Sequence, residues 1–367
     1  MPIHSYRNQT LLQVKFLLIF MCVGLFAATA SYAEDSTSDY SKGPLYGKNL
    51  YIPFLLHYNF PSLPAKSGEQ FDLQYHLSFY YVNDVNYANN DMSQYAETKR
   101  RYIKDNITRD YESWVAEFGL AYNIFKQLQV GMDMRVFSYY GGYMDSMIEA
   151  FHNFFGFPNG KREFFSQNQV YINIPNDNGI TMFLDKPATS FGDIDLWCKW
   201  TFMETKSISL AILGAFKAPT GRLSALSGSD YLDAATGLLL DFRAARYITF
   251  FTQAGAVFPF NNKSYTMFNG MAGLEIHPWK FLSFNMQMNI KTSPISNDNW
   301  NSRHGTYFKD YSLPQTNLLV GVVMRYKDFR WQFYFEEDTF TYQGADITFN
   351  ISFSHTINLC VSSGVVQ

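Results

Sequence analysis

Residues 281–291 read FLSFNMQMNIK. Leu282, Phe284, Met286, Met288 and Ile290 fall on one side of an extended chain, while Ser283, Asn285, Gln287, Asn289 and Lys291 fall on the other. Successive side chains of a strand point to opposite faces, so this alternation predicts a strand with one apolar and one polar face. GDIDLWCKWTF at 192–202 repeats it, with Ile194, Leu196, Cys198, Trp200 and Phe202 against Asp193, Asp195, Trp197, Lys199 and Thr201. LQVGMDMRV at 128–136 sets Leu128, Val130, Met132, Met134 and Val136 opposite Gln129, Asp133 and Arg135. Such runs match the roughly 9–11 residues of membrane strands better than the ~5–6 of soluble sandwiches.

Working outward, comparable segments lie near 71–82, 111–123, 127–138, 191–202, 208–218, 232–243, 247–258, 265–276, 315–326, 329–338 and 346–357. Tight turns (IFKQ, METKS, AAR, HPWK, KD) join them in pairs, and the links on the opposite side are mostly long. Short turns at one end and long loops at the other are the connection pattern of a transmembrane barrel, and an even strand number leaves both termini periplasmic. The expected fold is all-β: a transmembrane antiparallel β-barrel of about 12 strands, with 10 to 14 allowed. The stretch VYINIPNDNGITMFL has room for a further hairpin, placed outside the membrane. No blade-length repeat points to a propeller.

Composition agrees. The 367 residues include 35 Phe and 26 Tyr, and aromatics make up 18% beside 17% charged residues. A soluble domain struggles to bury so many rings, whereas barrels place them in girdles at both lipid interfaces. A net charge of -3 offers no basic field for nucleic acid. Mean hydropathy is -0.18, and no long apolar run follows residue 33, which excludes a helical membrane protein. Before that point, Arg7 and Lys15 precede FLLIFMCVGLFAA, and Ser31-Tyr32-Ala33 supplies a small-x-small pattern. Residues 1–33 therefore read as a signal peptide cleaved after Ala33. The expected location is the outer membrane, with outer-membrane lipid, the barrel-assembly machinery and a small-molecule solute as partners and no nucleic acid. Residues 34–66, which carry YIPFLL, are either a periplasmic arm or a plug of the lumen. Residues 67–358 form the barrel, 139–190 a long extracellular or lumen-inserted loop, and 359–367 a C-terminal tail. Cys198 and Cys360 are too few for a disulfide scaffold and read as packing residues.

One segment breaks the strand pattern: GGYMDSMIEAFHNFFGFPNGKR at 141–162. Ser146 and Glu149 fit a capping box and Gly156 with Pro158 a stop, so a helix is predicted over 146–155. Met147, Ile148, Phe151, Phe154 and Phe155 give it a broad apolar face, with Asp145, Glu149 and His152 beside it. That face is expected to bury against the outer mouth or lumen and to narrow the path. The segment resembles one found in a family of Gram-negative outer-membrane proteins of unknown function, predicted barrels. FGDIDLWCKW, FKAPTGRLSALSGSD and FYFEEDTFTYQGADITFNISF fit it too, and are similar to a wider superfamily of barrels linked to phenol-degradation pathways and fatty-acid uptake. The resemblance spans roughly 49–355 and marks Gly141, Gly142, Asp145, Ile148, Glu149, His152, Gly156, Pro158 and Arg162. It implies a barrel and carries no assigned activity; the N-terminal hatch of fatty-acid-type channels makes the plug reading of 34–66 admissible.

Glu149 and His152 share one helical face, with Asp145 as a third oxygen, but a metal would need ligands from elsewhere. No metal or cofactor is expected. NGKRE lacks the Ser or Thr that a phosphate loop requires after its lysine. Asp133, Arg135, Asp193, Asp195, Lys199, Arg243, Glu275, Lys291 and Arg325, with Glu117 and Asp241, fall on the inward face by parity. As lumen-lining rows they either select solutes or pair within a closed barrel. No G-x-S-x-G occurs, His76 and Ser283 point inward, and no catalytic residue is expected. The sequence supports a channel or transporter for small solutes, hydrophobic ones included, gated by the helix. The alternatives are a structural or surface-interaction barrel, and an outer-membrane hydrolase.

Overall fold

The computed structural model describes residues 41–87, 108–156, 166–174, 182–261, 264–294, 314–338 and 347–360. Residues 1–40, Pro158 and Arg162 lie outside the described residues, as do the side chains of Phe151, His152 and Phe155. The strands are β1 (Asp72–Tyr87), β2 (Thr108–Phe125), β3 (Leu128–Tyr140), β4 (Tyr171–Ile174), β5 (Met182–Leu184), β6 (Ala188–Phe191), β7 (Ile194–Glu204), β8 (Ile208–Ala218), β9 (Asp233–Ala245), β10 (Ile248–Pro259), β11 (Met267–Ile276), β12 (Leu282–Lys291), β13 (Gln315–Tyr326), β14 (Phe329–Asp338) and β15 (Ile347–Asn358), with helix α1 (Asp145–Phe155) between β3 and β4. Twelve are long and form an antiparallel barrel, which closes because β1 pairs with both β2 and β15. The three short strands extend it at the long-loop end. β4 pairs with Thr108–Asp110 of β2 and with β5, so the extra hairpin of VYINIPNDNGITMFL stands on the rim. β6 continues on β3 where β7 leaves off.

Alternation sorts the faces as expected. On β12, Phe284 and Met286 are exposed, while Ser283, Asn285, Gln287 and Lys291 are buried. On β7, Leu196, Trp200 and Phe202 are exposed and Asp195, Trp197, Lys199 and Thr201 buried. An apolar exterior around a polar interior is the reverse of a soluble barrel and matches lipid outside. Exposed rings gather at both strand ends: Phe125, Tyr247, Trp279 and Phe281 at the short turns, Trp114, Phe216, Phe258 and Phe268 toward the loops. No helix of the described residues is long and apolar enough to cross a membrane, so crossing falls to the strands.

A barrel of ~8 strands is just wide enough for its own side chains to fill, so twelve leave space. Residues 41–66 occupy it. Lys42 bonds Glu275 near a short turn, the chain climbs to a tight 3-10 turn at Phe54–Leu56, and Ala65 and Lys66 return to Asp241 near the same end. Leu50, Tyr51, Ile52 and Phe54 pack with Ile172 and Ile174 of β4, Met182 and Leu184 of β5, and Leu226. On the descending leg Tyr58 and Phe60 pack among Ala211, Leu213 and Leu239. Phe60 lies against Gly237 and Gly255, adjacent glycines whose missing side chains make room for its ring.

Candidate functional site

The center of the lumen holds a buried charge network tied to this inserted hairpin. Lys48 Nζ lies 2.9 Å from Glu117 Oε2, 2.9 Å from Asp133 Oδ2 and 3.4 Å from Asp195 Oδ2. The wall strands gather these acids by register: Glu117 faces Arg135 across β2 and β3, and Asp133 faces Asp195 across β3 and β7. Arg135 Nη2 bonds Asp195 Oδ2 at 3.0 Å. His76 Nε2 is 3.3 Å from Glu117 Oε1 and 3.7 Å from Asp133 Oδ1. Gly119 sits between them on β2, where a Cβ would run into both His76 and Asp133. Three carboxylates with their charges out of water are tolerated only while cations remain beside them. One of those cations, Lys48, belongs to the inserted hairpin and not to the wall.

Other inward charges hold the hairpin by its backbone. Lys291 Nζ donates to the carbonyls of Phe54 and Tyr58, both at 3.3 Å, and Lys199 Nζ to Pro64 at 2.8 Å and Lys66 at 3.0 Å. Glu275 accepts from Lys42 N at 2.8 Å and Ser41 Oγ at 2.6 Å. Arg330 donates to the carbonyls of Lys42 at 3.0 Å and Pro44 at 2.7 Å. Asp233 accepts from Tyr58 N at 2.7 Å and contacts His57 Nδ1 at 3.3 Å. No backbone-to-backbone hydrogen bond joins residues 41–66 to the wall strands among the described residues; attachment is through side chains.

Asp193 does something else. It pairs with Lys217 at 2.5 Å and accepts from Gly221 N at 2.8 Å and Ser229 N at 3.3 Å, clamping the loop between β8 and β9. The GD, PTG and SGSD motifs are thus parts of one loop clasp. Of the other residues expected in the lumen, Asp133, Arg135, Asp195, Lys199, Glu275 and Lys291 are there. Arg243 and Arg325 are not: Arg325 is exposed at the short-turn end of β13, and Arg243, half-buried near the same rim, donates to the carbonyl of Arg246 at 3.4 Å. Both have inward parity, but parity fixes a face and not a height. Missed by sequence were Lys48, Arg330, Lys217 and Asp233. Lys217 and Asp233 sit on alternating strands and were findable by the same parity; Lys48 lies in a segment with no period.

The helix starts one residue early, with Ile148 N bonded to Met144 O, so Ser146 does not cap it and is exposed. Glu112 of β2 instead accepts from Tyr143 N at 3.0 Å and Met144 N at 2.7 Å. Gly142 has φ +76°, and a Cβ there would collide with the Glu112 carboxylate, which accounts for the second glycine of the motif. Asp145 accepts from Asn168 N at 2.9 Å, and Glu149 from Gln167 Nε2 at 3.3 Å. Of the apolar face expected to bury against the outer mouth or lumen, Met147 is 55% and Phe154 82% exposed and Ile148 is half-buried, while the side chains of Phe151 and Phe155 lie outside the described residues. Asp145 and Glu149 both hold the chain returning from the loop. A different trio, His76, Glu117 and Asp133, brings ligand atoms within 4.8 Å of one another, with the Lys48 ammonium against the two carboxylates.

The described geometry can be set beside known proteins. No curated protein matches the chain. Among solved structures, the COG4313 outer membrane channel from Pseudomonas putida F1 is similar at 10% identity and a TM-score of 0.50, over 79% of this chain and 97% of that one. The toluene transporter TodX from Pseudomonas putida aligns at 8% identity and a TM-score of 0.37, over 86% and 99%. The KdgM porin aligns at 6% and 0.38, over 78% and 99%. At these identities the first shows a shared barrel fold and the other two carry no argument. Residues 70–357 match the model of the family described as Protein of unknown function (DUF3187), so the chain belongs to that family.

Proposed function

We propose that this protein is an outer-membrane channel for small solutes, closed at rest by residues 41–66. The observation that carries the proposal is the mode of attachment: the hairpin fills the lumen yet is held by side chains and by one lysine among three acids, with no strand pairing to undo. Such a segment can leave without breaking the barrel ladder. That the Pseudomonas putida barrel of similar fold is a channel supports the reading. So does the N-terminal charge and apolar pattern, which fits export with cleavage after Ala33 and delivery to the barrel-assembly machinery. A cleft beside the hairpin is lined by Asn49, Asn59, Gln253, Asn269 and Asn289 together with Phe60, Met271 and Ile290, a mixed polar and apolar surface suited to a small solute. In this reading the constriction belongs to the hairpin, whose Leu50, Tyr51, Ile52 and Phe54 pack in the lumen.

A closed surface barrel is the second reading, favored by the packing of β4, β5 and Leu226 over Tyr51, Ile52 and Phe54 at the loop end. Tethering separates the two. Asn49 Nδ2 and Gln315 Oε1 are 2.6 Å apart, so N49C and Q315C, in a C198S/C360S background, can be bridged by a short bifunctional thiol reagent. In proteoliposomes, flux of small sugars is expected before bridging, to fall at least tenfold on bridging, and to return when a cleavable bridge is cut. No flux in any of the three states would favor the closed barrel.

A further inference from the structure

We propose that helix α1 is an interfacial anchor, lying outside the barrel at its loop-end rim with Tyr143, Met147 and Phe154 in the headgroup region of the outer lipid leaflet. The placement follows from Glu112. On β2 the exposed residues Trp114 and Phe118 share its parity, so Glu112 points out of the barrel. It is nevertheless only 1% exposed, because Gly142 to Met144 fold back over it from outside. The Tyr81 hydroxyl, on the outward face of β1 with Leu77 and Phe79, donates to the same carboxylate. Its ring packs 5.1 Å from Trp114 and 6.4 Å from Tyr143, center to center. The chain leaving β3 therefore turns away from the lumen and sets the first turn of the helix beside the lipid-facing aromatics.

Two observations name the occupant of the exposed face. Tyr143, Met147 and Phe154 are 61%, 55% and 82% exposed, an unfavorable state in water, and Tyr143 joins through Tyr81 to Trp114, which with Phe118 is on the outward face of β2. Trp114 lies near the loop end of the barrel wall, where interfacial rings sit at headgroup level. The acids of the helix are meanwhile engaged with the returning chain, Asp145 at Asn168 and Glu149 at Gln167. An amphipathic helix with its acids so held and its apolar side chains at headgroup height lies in the interface plane.

The test uses the full chain with C198S and C360S, carrying single cysteines at Met147 or Phe154 labeled with an environment-sensitive fluorophore. The protein is inserted into phosphatidylcholine/phosphatidylglycerol vesicles doped with lipid nitroxides at shallow or deep acyl positions. M286C, on the lipid face of β12, and K206C, in an exposed short turn, are the controls. Labels at 147 and 154 are expected to be quenched at least twofold more by the shallow than the deep nitroxide, and to be shielded from aqueous iodide relative to position 206. The deep nitroxide should quench position 286 most, and if it does not, the membrane orientation itself is wrong. Labels at 147 and 154 that respond like position 206 overturn the proposal. So does shielding that appears only at high protein-to-lipid ratio, since that would make the occupant a second copy of the chain.

Discussion

Replacing Lys48 by methionine is expected to expel the N-terminal hairpin from the barrel while leaving the barrel folded. The substitution keeps the length of the side chain and removes its charge, so Glu117, Asp133 and Asp195 lose their shared partner at 2.9, 2.9 and 3.4 Å. Arg135 and His76 remain but cannot balance three buried carboxylates alone. Removing one member of a buried ion cluster typically costs about 3–5 kcal/mol. The wall has a cheaper option than holding the acids dry, which is to release the hairpin and let water in. Proteolysis within residues 41–66 should rise at least a hundredfold in K48M, with the heat-modifiable migration of the barrel unchanged. Combining K48M with E117Q and D133N should restore most of the protection, because a neutral cluster no longer needs the ammonium and the Arg135–Asp195 pair is untouched. Protection that persists in K48M alone would mean that the apolar contacts of Leu50, Tyr51, Ile52 and Phe54 hold the hairpin without the charge network.

The second large effect belongs to the outer face. Met286 is exposed near the middle of β12, flanked on that face by Leu274 of β11 and Val320 of β13. An arginine there would sit near the bilayer midplane, where lipid-facing charges in barrels cost about 2–4 kcal/mol. Its neighbor Gln287 points inward and donates to Ser62 Oγ of the descending leg at 2.7 Å. Gln287→Arg should therefore leave folding into bilayers nearly unchanged and disturb the hairpin instead. Equilibrium folding of the two variants in urea with phosphatidylcholine vesicles separates them, and equal losses would show that the faces are misassigned.

The twelve wall strands were readable because each crosses an environment that is apolar on one side and polar on the other, and a two-residue period records that directly. FLSFNMQMNIK needs no partner to be interpreted. The helix was readable as an element, since Gly156 ends it and its apolar spacing is helical, but not in its position. What places it is Glu112, a carboxylate thirty-odd residues earlier on β2, and no local pattern connects the two. Met147 and Phe154 look the same in sequence whether they meet a lumen ring or a lipid chain. Lys48 was unreadable for a related reason: the segment GPLYGKNLYIPF follows the shape of the space it fills and has no repeat of its own. Arg243 and Arg325 show the opposite limit, a correct face at the wrong height, because alternation is blind to where along the barrel axis a residue stops.

Single-channel conductance in a planar bilayer, measured on residues 34–367 and on a variant of that chain lacking residues 41–60, tests the central claim most directly. The wall ladder does not include these residues, so the shortened barrel should still fold, and its lumen acids should then be hydrated. The full chain is expected to show rare, brief openings and the shortened one a steady conductance at least tenfold higher on average. A folded, shortened barrel with the same conductance as the full chain would contradict the account, since the hairpin would then not be what closes the lumen.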